Sequence, residues 1–380
     1  MKYCKKCLEP STRPNNTFNK DGICKVCEYY NSLKEVNWDE RLEILHDLVS
    51  KYKIPKKETN FDCIIGVSGG KDSVRQALWA RDKLGLKPLL VCLTYPPEQL
   101  TNIGAENISN LIDLGFDVHT VALAPETWKK LINLGFKNYV NICKSSELAL
   151  FSTVPRLALS YKIPLVLWGE NPGLQTGDSA TLAEEGYDGN NLRNLNTLSG
   201  GDYQWMLDEG FSHKDLIGYS YPDQKEFENS NVQIIYLGWF MPDWSSLDNG
   251  LFSSLNGLII KTQSPIDSGD ISYVTSVDDD WVTFNQMIKY LKFGFGRATE
   301  IVNEEIRKEK ISRDEGIDLV TKYDGKCNEE CIESFCDYIK ISKKEFWLKV
   351  MEATNKELFE ISFNNEKFKA VPKFKVGIGL

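Results

Sequence analysis

The stretch "FDCIIGVSGGKDSV", residues 61–74, constrains this chain more than any other, because a short apolar, β-branched run ends in paired glycines and passes at once into a helical pattern from Asp72 to Leu84, closed by Gly85. An apolar run of this length fits a parallel sheet covered on both faces. Glycines let backbone N–H groups approach an anion, and a helix N-terminus adds positive potential. The loop is not a P-loop of the form G-x-x-x-x-G-K-[ST], since Gly66 stands one residue too close to Gly70-Lys71 and Asp72 follows the lysine. With hydroxyls at Ser68 and Ser73, it reads as a phosphate cradle of another kind.

The rhythm continues downstream. "KPLLVCLTY" (87–95) reads as a second strand, Thr101 to Leu114 as a helix closed by Gly115, and "DVHTVAL" (117–123) as a third strand. Helical segments then run from about Glu126 to Tyr161, and "IPLVLWGEN" (163–171) and "VQIIYLGWF" (232–240) read as further strands. This alternation predicts an α/β fold, a doubly wound parallel sheet with right-handed crossovers. Residues 172–232, rich in Gly, Asn, Asp and Ser, read as long loops, and 283–362 mainly as helices. Before the sheet, Leu42, Leu45, Leu48, Val49 and Tyr52 mark an amphipathic helix that Pro55 should stop. The expected organisation is a ribbon over 1–35, a linker helix over 36–57, the sheet domain over 58–282 and a largely helical region over 283–380.

The ribbon rests on Cys4-Lys5-Lys6-Cys7 and Cys24-Lys25-Val26-Cys27, two CxxC knuckles with sixteen residues between them. That spacing matches a four-cysteine zinc site, in which zinc would supply much of the folding free energy of so small a unit. The first residues have no apolar core of a secretion signal, and no 18-residue apolar run occurs, so the expected location is the cytoplasm, where disulfides are rare. Cys63 and Cys92 fall inside apolar strands, Cys143 stands alone, and Cys327, Cys331 and Cys336 are spread over a helical stretch; all read as reduced packing or surface thiols. A net charge of −9 speaks against a long polyanion as principal partner, so neither nucleic acid nor membrane is expected.

SGGKDS between strand and helix resembles the pyrophosphate loop of the ATP pyrophosphatase superfamily, the group of GMP synthetase, NAD synthetase, argininosuccinate synthetase and the tRNA thiolases. The resemblance implies an adenine nucleotide alpha hydrolase-like fold and cleavage of ATP to AMP and pyrophosphate. It assigns the nucleotide to Ser68, Gly69, Gly70, Lys71, Asp72 and Ser73, with Thr94 and Lys292 added to the cofactor-binding set. Asp72 would hold Mg²⁺, with Glu170, at the end of the fourth strand, as its acidic partner. Asp72, Lys71, Glu170 and Arg297 form the expected catalytic set. Lys71, Lys292 and Arg297 would lie near phosphates or a sugar carboxylate, and Gly294 and Gly296 would bring the "GFGRATE" backbone close to ligand.

A longer set of blocks resembles the N-acetyl sugar amidotransferases of bacterial surface-glycan pathways: "CLEPSTRP", "DGICKVC", "WDER" (38–41), "WGENP" (168–172), "GGDYQWMLDEG" (200–210), "YLKFGFGRATE" (290–300), "ISRDEGIDLVTKYDG" (311–325) and "KEFWLKVMEATN" (344–355). The agreement is loose over 173–199, where sugar choice is expected. This resemblance implies conversion of an N-acetyl group on a sugar into an acetamidino group through an adenylylated imidate. A glutaminase needs an activated cysteine nucleophile, and His46, His119 and His213 lie in no Cys-His motif. Ammonia is therefore expected from a separate glutaminase, which the resemblance implies to work with a cyclase-like subunit, and the ribbon is its expected docking surface. Two other readings stay open: a tRNA-thiolating enzyme, and a nucleotide-binding adaptor without turnover.

Overall fold

The computed structural model describes residues 1–53, 60–175, 186–195, 198–364 and 367–380. Pro55, expected as a helix stop, and much of the 173–199 loop expected to choose the sugar lie outside the described residues. Five strands, β1 (Cys63–Gly66), β2 (Pro88–Thr94), β3 (Asp117–Ala122), β4 (Leu165–Trp168) and β5 (Gln233–Tyr236), form one sheet in the order β3-β2-β1-β4-β5. Every pairing is parallel, with Ile64 in register with both Leu89 and Val166. The chain winds outward from β1 to β3 and then crosses back to β4, so the switch point lies between β1 and β4.

The helices of this half are α1 (Lys25–Ser32), α2 (Trp38–Ser50), α3 (Lys71–Asp82), α4 (Asn102–Asp113), α5 (Pro125–Tyr139) and α6 (Cys143–Ser160). Side chains alternate across a strand, and both faces here are covered. Cys63, Ile65, Leu90, Cys92, Leu165 and Leu167 pack toward Leu45 and Val49 of α2 and Val74, Ala77 and Leu78 of α3. Ile64, Leu89, Val91 and Val166 pack toward Val154 and Ala158 of α6 on the other face. Two-sided burial is why these strands read as unbroken apolar runs.

After β4 come the short helices α7 (Pro172–Gln175), α8 (Gln204–Leu207) and α9 (Gln224–Asn229). The run "VQIIYLGWF" is strand only to Tyr236; Leu237–Phe240 form a 3-10 turn. Then α10 (Ser246–Ser254), α11 (Pro265–Ser268), α12 (Val282–Phe293), α13 (Arg297–Arg307), α14 (Arg313–Tyr323), α15 (Glu329–Ile339) and α16 (Lys343–Ala353) follow. The chain closes with an antiparallel pair, β6 (Phe359–Asn364) and β7 (Lys367–Pro372). That pair corrects the helical reading of 283–362 at its end, because Phe359, Ile361 and Phe363 repeat with the period of a strand, too few residues to override the preceding helical signal.

The largest core joins both halves: Trp128, Leu131, Ile132 and Phe136 of α5 meet Phe284 and Ile288 of α12, Phe335 of α15 and Phe346 of α16. Phe136 and Phe346 stack with centroids 5.2 Å apart. Among the described residues no helix is long and apolar enough to cross a membrane.

Candidate active site and cysteine cluster

The cradle sits at the switch point because β1 ends there. Val67 still donates its N–H to Val91 O at 2.8 Å, after which Ser68 and Gly69 turn the chain into α3 with Gly70 at its N-cap. Gly69 has φ of +77°, and a Cβ on it would meet Asn107 Cβ of α4 at 3.0 Å, so both backbone and space demand glycine. The Ser68 N–H donates to Ser73 Oγ at 3.0 Å, leaving the Ser73 hydroxyl proton for another acceptor. First-turn amides of a helix have no acceptor within the helix, so those of α3 point out toward the loop.

Lys71 and Asp72 are joined by a 2.7 Å ion pair. The other Asp72 oxygen accepts from Asn249 Nδ2 at 2.6 Å; Asn249 in turn accepts from Arg75 at 3.0 Å, and Arg75 pairs with Asp243 at 2.5 Å. Ser253 Oγ donates to Lys71 O at 2.6 Å. Asn249 and Ser253 are buried on α10, which thereby fixes the first turn of α3. Neither was found by sequence reading; the only available signal was a polar pair four residues apart in an unremarked helix. Glu170 follows β4 across the switch point, and burial and then the Asp72 charge push its carboxyl up to about 7. Asp72 and Glu170 thus face the same end of the sheet and repel each other's charge.

Beside the loop is a cavity of about 170 Å³ lined by Ser68, Leu93, Thr94, Ile108 and Asp278 among others. It gathers Thr94 with the loop, and it adds Asp278, which the sequence reading missed. Burial raises the Asp278 carboxyl to about 6, against the pull of Lys261 and Lys71. Its neighbour Asp279 is raised to about 7 by burial and by Asp278, although it accepts hydrogen bonds from Gln99 Nε2 and Trp281 N, each at 2.8 Å.

The structure does not join Lys292 and Arg297 to the loop through any contact among the described residues. The Lys292 ammonium donates to the carbonyls of Tyr139 (2.6 Å) and Val140 (2.8 Å), closing the C-terminal end of α5, and burial lowers its pKa to about 8. Arg297 opens α13, 3.5 Å from Glu300 and 3.3 Å from Ser276 Oγ. Gly294 ends α12 with φ of +77°, and the Gly296 N–H donates to Asp324 at 2.8 Å, so both glycines serve the turn between α12 and α13. His119 and His213 meet the hydroxyls of Tyr161 (2.8 Å) and Tyr203 (3.3 Å), and His46 is exposed.

The sulfurs of Cys4, Cys7, Cys24 and Cys27 all lie within 4.8 Å of one another and are fully buried. Cys7 and Cys24 are 3.8 Å apart and Cys4 and Cys27 4.0 Å. A tetrahedral ion with metal–sulfur bonds of about 2.3 Å needs sulfurs about 3.8 Å apart, so the donor set fits zinc. Backbone N–H groups of Lys6 and Cys24 point at Cys4 Sγ, and that of Glu9 at Cys7 Sγ, at 3.3–3.4 Å. The cluster is held against the C-terminal helices: Leu8 and Val26 pack on Val302, Ile306 and Val320, and Leu8 N–H donates to Asn303 at 2.6 Å. Arg313 donates to the carbonyls of Cys7 and Cys4 at 3.2 and 3.4 Å.

Residues 271–375 match the family model described as LPS biosynthesis protein WbpG-like, C-terminal domain. No curated protein matches the chain. Among solved structures, U34-tRNA thiolase NcsA from Methanococcus maripaludis with its 4Fe–4S cluster aligns at 14% identity over 90% of this chain and 96% of that one, with a TM-score of 0.31. The NH3-dependent NAD synthetase from Campylobacter jejuni aligns at 14% identity over 60% of this chain and 100% of that one, TM-score 0.28. NMN synthetase from Francisella tularensis aligns at 19% identity over 36% of this chain, TM-score 0.27, and the chain spans 56% of that protein's length. Likenesses this shallow say nothing of activity.

Proposed function

We propose, for a chain whose residues 271–375 form a WbpG-like C-terminal domain, that it is an ATP-cleaving amidotransferase of lipopolysaccharide or related surface-glycan synthesis, working in the cytoplasm. The observation that carries the reading is the Ser68–Ser73 cradle at the switch point with Asp72 and Glu170 across it. The β and γ phosphates of ATP would lie on the amides of Gly69 and Gly70 and the hydroxyls of Ser68 and Ser73. Lys71 would turn from Asp72 to the phosphates, while the adenosine enters the cavity beside Thr94. Asp72 and Glu170 would hold Mg²⁺, which when bound neutralises charge on the phosphate oxygens.

The acceptor in this reading is an N-acetyl group on a sugar. An amide carbonyl is a poor electrophile, so its oxygen attacks the α-phosphorus, pyrophosphate leaves, and an O-adenylyl imidate results. Ammonia adds to the imidate carbon and AMP departs, leaving the acetamidino group. The protein's part is positioning and charge neutralisation. Ammonia would come from a separate glutaminase with a cyclase-like subunit, and zinc would hold the four-cysteine cluster.

The test incubates the purified chain with ATP, Mg²⁺, ammonium and N-acetyl sugars. AMP, pyrophosphate and a sugar whose amide oxygen has become NH are expected. ADP and orthophosphate would sink the reading, and tRNA-dependent AMP release without sugar would replace it with thiolation. Glutamine alone should give no product until a partner is added.

A further inference from the structure

Next to the nucleotide cavity lies a larger one of about 620 Å³, walled by residues 261–267, the start of α12 and the first turns of α15. We infer that this cavity receives a polyhydroxylated substrate carrying one negative charge, a carboxylate or a phosphate, and that Lys261 binds that charge. The inference rests on the reading above, for which it supplies the seat of the acceptor.

Lys261 lines the cavity, is half-buried, and makes no hydrogen bond or ion pair through its side chain with any described residue. Burial and the Arg297 charge lower its pKa while Asp270, Asp280 and Asp278 oppose them; burial prevails, so an anionic ligand would still relieve the ammonium. The remaining lining is suited to hydroxyls and not to a polyphosphate: Asp267, Asp280 and Glu330 accept, while Thr283 and Ser334 can donate or accept. Three carboxylates would repel a multiply charged ligand, whereas one anion at Lys261 with its hydroxyls on the carboxylates satisfies both.

The position also suits an acceptor. Thr101 N–H donates to Asp278 O at 3.2 Å and Thr101 Oγ1 to Val277 O at 2.5 Å, so the strip 277–280 forms a partition between the cavities. Asp278 lines the smaller cavity, Val277 and Asp280 the larger. The Asp278 carboxyl feels both Lys71 of the cradle and Lys261. A substrate held by Lys261 thus sits across one carboxylate from the phosphate loop.

The test is calorimetric binding of three probes to the full chain with ATP analogue present: N-acetylneuraminic acid (carboxylate), the methyl phosphodiester of N-acetylglucosamine 1-phosphate (one phosphate charge) and neutral N-acetylglucosamine. One of the two anionic probes should bind at least about tenfold tighter than the neutral sugar, and which one identifies the source of the charge. Lys261→Gln should abolish that preference without changing ATP affinity, and Ser334→Trp, on an exposed position of α15, should weaken the favoured sugar by filling the cavity. Equal binding of all three probes by the wild type, no binding of any, or an anion preference that survives Lys261→Gln would overturn the inference. Preserved preference with no AMP or pyrophosphate formed would leave this site standing and remove the amidotransferase reading.

Discussion

Around the cradle and its cavity lie Asp72, Glu170, Asp278 and Asp279, with Lys71 and Lys261 as the cations facing them, and burial lifts Glu170 and Asp279 to about 7 and Asp278 to about 6. Near the cysteine cluster, Glu300 is half-buried, yet Lys289 at 2.9 Å, Arg13 at 3.3 Å and Arg297 at 3.5 Å surround it. Burial alone would raise it; the three cations hold it down to about 2 instead. The second cluster has positive charge to spare, with Arg13, Lys289 and Arg297 facing Glu300 and Glu9, and needs no further cation. The first is short of positive charge, a deficit that a proton, a metal ion or a ligand would offset.

The sharpest way to break this contrast is to remove one carboxylate from each cluster. Asp72→Ala should cut AMP and pyrophosphate formation by about a hundred- to a thousandfold, with unfolding free energy lowered by about 1–2 kcal/mol in urea titration because Asn249 loses its acceptor. A variant that keeps full turnover would deprive the cradle of its role. Glu300→Gln should do the reverse, costing about 3 kcal/mol of stability because Lys289 and Arg297 are left without their counter-charge and Arg13 keeps only Glu9. Turnover per folded molecule should change little.

The two clusters should also differ in the sign of their pH dependence. Glu300 has a depressed pKa, so its stabilisation is present above its unfolded value of about 4.3 and fades as pH falls toward 2. Asp279 has a raised pKa, so its contribution is greatest below about 3.9 and is lost as pH rises through about 7. Asp279→Asn should therefore gain on the wild type between pH 4 and 7 in matched urea titrations, and Glu300→Gln should show no such gain in that window. A parallel response of the two variants would erase the distinction.

The smallest effect belongs to Lys292→Ala. Loss of its bonds to Tyr139 O and Val140 O should cost about 0.5–1 kcal/mol, as expected for a cation at a helix C-terminus, with the KM for ATP unchanged. A large rise in that KM would return Lys292 to the phosphates, where the sequence resemblance put it.

How much was legible follows from range. Cys63–Gly66 and Pro88–Thr94 announce themselves because a strand buried on both faces must be apolar throughout, and Gly69 because its φ and its contact with Asn107 exclude a side chain. The CxxC knuckles are local too, since each supplies two neighbouring ligands. Asn249, Ser253 and Asp278 were missed because nothing near them in the chain shows that α10 and the 277–280 strip reach the loop. Lys292 and Arg297 were expected at ligand because a basic residue beside glycines looks alike whether it faces a phosphate or a helix end.

By itself the sequence determined the βα alternation, the glycine loop at the end of β1 and the four-cysteine cluster, each set by residue type and spacing within a few turns of chain. Only the tertiary structure decided that the cluster rests on α13 and α14, that α10 clamps Asp72, and that Lys261 faces a cavity. Those depend on contacts between residues far apart in sequence, where an amphipathic face states that it must be covered but not by what.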